Sequence, residues 1–234
     1  MLGFDPLYFI LIAPAFLFSI IASFMVKSSF NKYSKVATLN GMSGADAAAA
    51  VLRAGAVTDV RIERVDGFLS DHYDPAQKVL RLSPSVYDSR SIAAVGVGAH
   101  EAGHAIQHKN KYPMLMFRTS MVPMASIGSN LSWFILFAGF IFHLTNLVYV
   151  GIFLFGAVVV FQLITLPVEI NASARAKQLL WDTGIISSTS EKNGVAAVLN
   201  SAALTYVAAA VSAVLTLIYY LIRAGILGGS SNDR

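Results

Sequence analysis

The architecture is decided by the stretch Thr119–Val168, TSMVPMASIGSNLSWFILFAGFIFHLTNLVYVGIFLFGAVVVFQLITLPV, fifty residues without one Asp, Glu, Lys or Arg. About 20 apolar residues cross a bilayer core, so a run of this length makes two crossings joined by a turn. His143-Leu144-Thr145-Asn146 is the polar interruption. It places helices near Val122–Phe142 and Leu147–Leu166, with Pro167 ending the second. His143 is expected at the membrane interface, and the glycines and methionines of the hairpin are expected to pack the helices together.

Upstream, Pro6–Val26 is another uncharged run, of 21 residues. Asp5 is the one charge before it, and Lys27, Lys32 and Lys35 follow, the reverse of a secretory signal, so a retained helix is expected. Downstream, the charge-free run Asn193–Ile222 contains a fourth helix near Ala202–Ile222, and the tail Gly228–Arg234 is expected to be flexible. The composition agrees: 56% hydrophobic and 13% charged residues, with a mean hydropathy of +0.63, lie outside the soluble globular class. Cysteine is absent, so any metal site must use histidine and carboxylate ligands.

Of the 17 Lys and Arg residues, 15 fall in the segments 27–118 and 169–192, leaving only Arg223 and Arg234 for the other side. The positive-inside rule puts both rich segments in the cytoplasm and the N-terminus outside. The expected layout is a mainly α membrane protein with a small α+β, zincin-like cytoplasmic domain. Residues 1–26 form the first crossing, 27–118 the cytoplasmic domain, and 119–168 the hairpin. A second cytoplasmic segment, 169–192, precedes the fourth crossing at 193–224 and the tail at 225–234. A bacterial cytoplasmic membrane is the working assumption.

Within 27–118, Ser43 and Asp46 form a capping box opening an alanine-rich helix that Gly55 stops. Val57–Arg64, Gly67–Leu69 and Lys78–Ser83 read as strands, with Asp71-His72-Tyr73-Asp74-Pro75 as a turn. Ser91 caps a helix that carries His100-Glu101-Ala102-Gly103-His104. Histidines at i and i+4 lie about 40° apart on one helical face, so both imidazoles reach one metal ion. Glu101, about a third of a turn away, suits a proton acceptor better than a ligand. This is the His-Glu-x-x-His pattern of zinc hydrolases, whose catalytic sites keep three protein ligands and one open position.

Parity supplies the third ligand. The histidine helix lies between the first and second crossings, and two further crossings return the chain to the same face at Glu169, the first acid after the uncharged run. The expected site is therefore one zinc per chain on His100, His104 and Glu169, with Glu101 as general base. A zinc ion there supplies Lewis acidity and an acidified water. Glu101 takes the proton of the attacking water and passes it to the leaving amine. His108 continues the histidine row but stands about 12 Å from His100 along a straight helix, too far to share the ion. His72, Tyr73 and Arg175 are candidate oxyanion donors, and the Lys78–Ser83 strand a candidate open edge for an extended peptide.

Several stretches in order carry a resemblance: Asp71-His72-Tyr73-Asp74-Pro75, Leu82-Ser83, His100–Gln107, and Leu166-Pro167-Val168-Glu169-Ile170-Asn171-Ala172-Ser173. This set resembles the YugP-type family of bacterial membrane zinc metallopeptidases over nearly the whole chain. More distantly it is similar to the HtpX and CAAX-prenyl-protease group, which follows its two-histidine helix with a membrane hairpin and a Glu-x-x-Ala-Asp segment. Ser173 stands where that group has Asp, so the carboxylate found there in that group is missing.

The resemblance implies a zinc endopeptidase acting on peptide or protein substrates at the bilayer, with no nucleic-acid partner. Three rival readings stand beside it, of which a coincidental pentapeptide with no metal is disfavoured by Glu169 and the ordered set of stretches. An intramembrane protease with its metal inside the bilayer fits poorly, because Asp88, Arg90, Lys109 and Lys111 flank the histidine helix and the uncharged run Ser91–Ala99 is too short to span. A zinc-binding membrane scaffold or inactive protease homologue without hydrolytic activity would leave Glu101 without a role, and a structural zinc site normally has four protein ligands.

Overall fold

In the computed structural model, which describes residues 5–67 and 70–227, four helices are long and apolar enough to cross a membrane. They are α1 (Pro6–Tyr33), α5 (Pro113–Ile141), α6 (Thr145–Asp182) and α7 (Thr189–Arg223). Between α1 and α5 come α2 (Gly44–Ala54), β1 (Arg61–Arg64), β2 (His72–Asp74), β3 (Val79–Leu82), the short α3 (Pro84–Tyr87) and α4 (Ile92–Lys109). Phe68 and Leu69 of the expected strand Gly67–Leu69, and the tail Gly228–Arg234, lie outside the described residues.

Cα packing divides the chain into two compact units. One gathers the chain up to Ile21, Phe117–Leu166, and the stretch from Tyr206 onward; the other holds Ala22–Met116 and Pro167–Thr205. In the first, α5 and α6 pack closely through glycines. A Cβ on Gly128 would lie 2.7 Å from the Leu154 carbonyl, and one on Gly139 would lie 2.9 Å from the Val148 nitrogen. Small residues at such crossings let apolar helices approach without a hydrophobic driving force.

The second unit is built around α4. Ser91 caps it, its side chain accepting from the Ala94 N–H, as the sequence suggests. Nearly every residue from Ile92 to Gln107 is buried, because glycines open the helix to three neighbours. Gly98 meets the Gly44 backbone of α2, Gly103 the Ala172 backbone of α6, and Gly96 the Val195 side chain of α7. The Ser43–Asp46 capping box forms in full: the Asp46 N–H donates to Ser43 Oγ, and the Ser43 N–H to the Asp46 carboxylate. Gly55 is the C-cap of α2.

Four expectations are corrected. Pro167 does not end a helix; it lies inside α6, which runs on to Asp182. Proline removes one N–H, a loss that apolar helices tolerate where neighbouring groups re-satisfy the freed carbonyl. Likewise α7 begins at Thr189, well before Ala202, on a capping box in which the Glu191 N–H donates to Ser188 Oγ and the Ser188 N–H to the Glu191 carboxylate. The Asp71–Pro75 stretch is not simply a turn: His72–Asp74 is β2, and the turn follows it, with the Asp74 carboxylate accepting from the Ala76 and Gln77 N–H groups. Finally, β3 is no free edge. The order is β1-β3-β2, with β1 parallel and β2 antiparallel to the central β3.

Candidate metal centre

Because α6 continues through Pro167, Glu169, Asn171, Ser173 and Arg175 all ride on one helix, and Glu169 and Ser173 share a face at i, i+4. The close contact at Gly103 and Ala172 brings that face against α4. His100 Nε2 then lies 3.2 Å, and His104 Nε2 3.4 Å, from the same oxygen of Glu169, Oε2. The imidazoles meet edge-on, their centroids 4.8 Å apart and planes at 81°.

The group is enclosed: Glu169 is 3% and His104 8% exposed. Among the described residues, His100, His104 and Glu169 form the group of metal-capable side chains whose ligand atoms fall within 4.8 Å of one another. Zinc bonds of about 2.0–2.2 Å at tetrahedral angles set neighbouring donor atoms about 3.3–3.5 Å apart. The two nitrogen–oxygen separations, 3.2 and 3.4 Å, lie close to that edge length, and with all three donor atoms within 4.8 Å of one another these residues could hold a zinc ion.

The far side of each ring is also occupied. His100 Nδ1 lies 3.1 Å from Ser173 Oγ, and His104 Nδ1 lies 3.0 Å from Gln107 Oε1. Gln107 is fully buried, and its Nε2 donates to the Val168 carbonyl at 2.8 Å and to Asn171 Oδ1 at 3.0 Å. Asn171 Oδ1 accepts in turn from Arg175 Nε at 2.7 Å. Partners of this kind fix the tautomer and ring orientation of a metal-binding histidine.

Glu101, on α4, is buried at 9% exposure. Burial disfavours a charge on His104, but the Glu169 hydrogen bond and the charges of Glu101 and Glu169 outweigh it, holding its pKa above the usual histidine value.

The other candidates take different places. The Tyr73 hydroxyl lies 2.9 Å from His108 Nδ1, and burial, with the charges of Asp59 and Asp74, pushes its pKa up to about 12. His72 is exposed on β2, its Nδ1 2.7 Å from the Ser70 carbonyl. His108, His72 and Tyr73 are not in the three-residue group. Sequence reasoning gave Gln107 no role, although a glutamine three residues after His104, on a helix whose other residues from Ile92 to Ile106 apart from His100, Glu101 and His104 are small or apolar, was a visible signal.

Four membrane-length helices and an enclosed His, His, Glu cluster define a membrane protein with a candidate metal centre. The chain matches the family model described as "Putative neutral zinc metallopeptidase" over residues 8–225, and it belongs to that family. It is 46% identical over 200 residues to "Putative membrane protease YugP" of Bacillus subtilis, a match covering 86% of this chain and 88% of the relative. No solved structure matches the chain significantly.

Proposed function

We propose that the chain is a zinc-dependent endopeptidase of the His, His, Glu class, with one zinc per chain on His100, His104 and Glu169 and its site at the cytoplasmic surface of the membrane. The observation that carries this reading is the convergence of His100 Nε2 and His104 Nε2 on Glu169 Oε2, with the Glu101 carboxyl buried on the same helix as the two histidines. Zinc bound there would polarise the scissile carbonyl and acidify a water. Glu101 accepts the proton from the attacking water and delivers it to the leaving amine. Ser173 and Gln107 stand against the Nδ1 atoms of the two imidazoles, whose Nε2 atoms face Glu169 and would hold the metal. The orientation with the N-terminus outside rests on the lysine and arginine distribution.

Zinc content and peptide-library cleavage by the purified protein test the reading, alongside Glu101→Gln and Glu169→Ala. Glu101→Gln is expected to keep zinc and lose cleavage, and Glu169→Ala to lose both. Cleavage by Glu101→Gln at the wild-type rate would overturn the assignment.

A further inference from the structure

The second unit contains a cavity of about 330 Å³ that the metal cluster does not use. Its position follows from helix geometry. Around α4, Ala105, His108 and Lys109 lie about 100°, 40° and 140° from His104 in one sense, and Gly103 about 100° in the other. Gly103 is the residue that meets α6. Ala105, His108 and Lys109 line the cavity, so it occupies the flank of α4 that turns away from α6, beside the last ligand histidine. Tyr73 of β2 also lines it. Among the described strands β2 pairs only with β3, so its other edge has no strand partner among them.

The lining has a definite chemistry. Val57, Val60 and Met116 give it apolar walls, while Lys78, Lys109 and Lys111 stand against a single carboxylate, Asp59. Lys78 pairs with Asp59, and the Lys109 ammonium donates to the Gly55 and Ala56 carbonyls. Both are thus anchored at the site. Lys111 is exposed and held there by a backbone at φ +49°.

We propose that this cavity is a substrate subsite that takes a peptide carboxylate, from an acidic side chain or a free C-terminus, its carbon stem on the apolar walls and its charge on Lys111. The proposal rests on the hydrolase reading for the word substrate, but the pocket can be examined without turnover.

The experiment is calorimetric titration of full-length Glu101→Gln protein in detergent with three matched decapeptides. One carries Glu, one carries Gln in its place, and one is the Gln peptide with an amidated C-terminus. One charge-assisted contact corresponds to about a tenfold change in affinity. The Glu peptide is expected to bind about tenfold tighter than the Gln peptide if the side chain is read. The free acid should bind better than the amide by a similar factor if the terminus is read. Lys111→Glu should abolish the preference and Asp59→Asn should enlarge it, opposite shifts that a folding defect cannot mimic. Equal affinities across the three peptides, or a preference blind to both substitutions, would overturn the proposal. So would displacement of the peptide by phosphatidylglycerol but not phosphatidylcholine micelles, which would reassign the cations to lipid. Acidic-peptide binding by a protein whose wild type cuts nothing would sink the hydrolase and keep the pocket. Wild-type cleavage indifferent to peptide charge would do the reverse.

Discussion

Gln107 Oε1 faces His104 Nδ1 at 3.0 Å, and the arrangement of the rest of that amide fixes what the contact means. The Val168 carbonyl, 2.8 Å from Nε2, can only accept, so Nε2 is the amide NH2 and Oε1 is the acceptor. His104 must therefore carry a proton on Nδ1, which makes Nε2 the ring nitrogen that would face a metal. The same side chain ties α4 to α6 one residue before Glu169. Gln107→Met, of similar length but without the acceptor, is expected to weaken zinc binding about 10- to 100-fold. Chelator competition measures this, and Gln107→Glu, which keeps an acceptor for Nδ1–H, should recover part of the loss. Unchanged affinity in Gln107→Met would remove the role.

Ser173 stands against the Nδ1 of His100 as Gln107 stands against that of His104. Its hydroxyl lies 3.1 Å from His100 Nδ1. A neutral hydroxyl is a weaker acceptor than an ionised carboxylate. Ser173→Ala should lower zinc affinity about tenfold, and Ser173→Asp should at least match the wild type. The pair is read by the same competition assay. Equal affinity in all three proteins would mean that His100 is oriented by packing alone.

Local patterns made the membrane segments and the three clustered residues legible. Run length marks a crossing, i, i+4 spacing joins His100 to His104, and counting crossings returns Glu169 to the same face. Information held between distant segments was not legible. Nothing near Pro167 shows that α6 continues through it, since that depends on what surrounds the freed carbonyl. The Asp-His-Tyr-Asp-Pro string carries turn-forming residues, yet His72–Asp74 pairs with β3 because Tyr73 opposes Leu80, a core residue. The central place of β3 follows from β1 joining its other side in parallel, which no single strand's pattern encodes. Gln107 is legible only as a polar residue on a buried helix, because its partners are on α6.

The capping box of α2 gives a pH-dependent stability term. Donation from the Ser43 N–H and hydroxyl holds the Asp46 carboxyl below its usual pKa. A carboxyl depressed in the folded state stabilises above its unfolded pKa, and that contribution disappears as pH falls through the folded value. Asp46→Ala should therefore melt below the wild type at pH 7, by an amount equivalent to about 1 kcal/mol. The gap should close as pH is lowered from about 5 toward 3. Thermal melts of both proteins in detergent decide it; a gap that stays constant across that range would exclude the charged cap as its source.

The glycines of α4 make the most discriminating set, because helix propensity and packing pull in opposite directions. Propensity alone predicts that each Gly→Ala change stabilises by about 1 kcal/mol. At Gly96 the new Cβ would meet Val195 Cγ1 at 3.5 Å, an ordinary contact, so Gly96→Ala should be neutral or raise Tm. At Gly98 it would sit 2.3 Å from the Gly44 carbonyl oxygen, a backbone atom that cannot swing aside, so α2 and α4 must separate. Gly98→Ala is expected to destabilise by about 1–3 kcal/mol or more. At Gly103 the Cβ would lie 2.8 Å from the Ala172 carbonyl oxygen, three residues beyond Glu169. Separating α4 from α6 there moves Glu169 away from both histidines, so Gly103→Ala should lose zinc affinity as well as stability. Melting temperature and zinc affinity for the three variants check the argument. A Gly98→Ala protein that loses zinc affinity while Gly103→Ala retains it would show that the α4–α6 contact does not set the site.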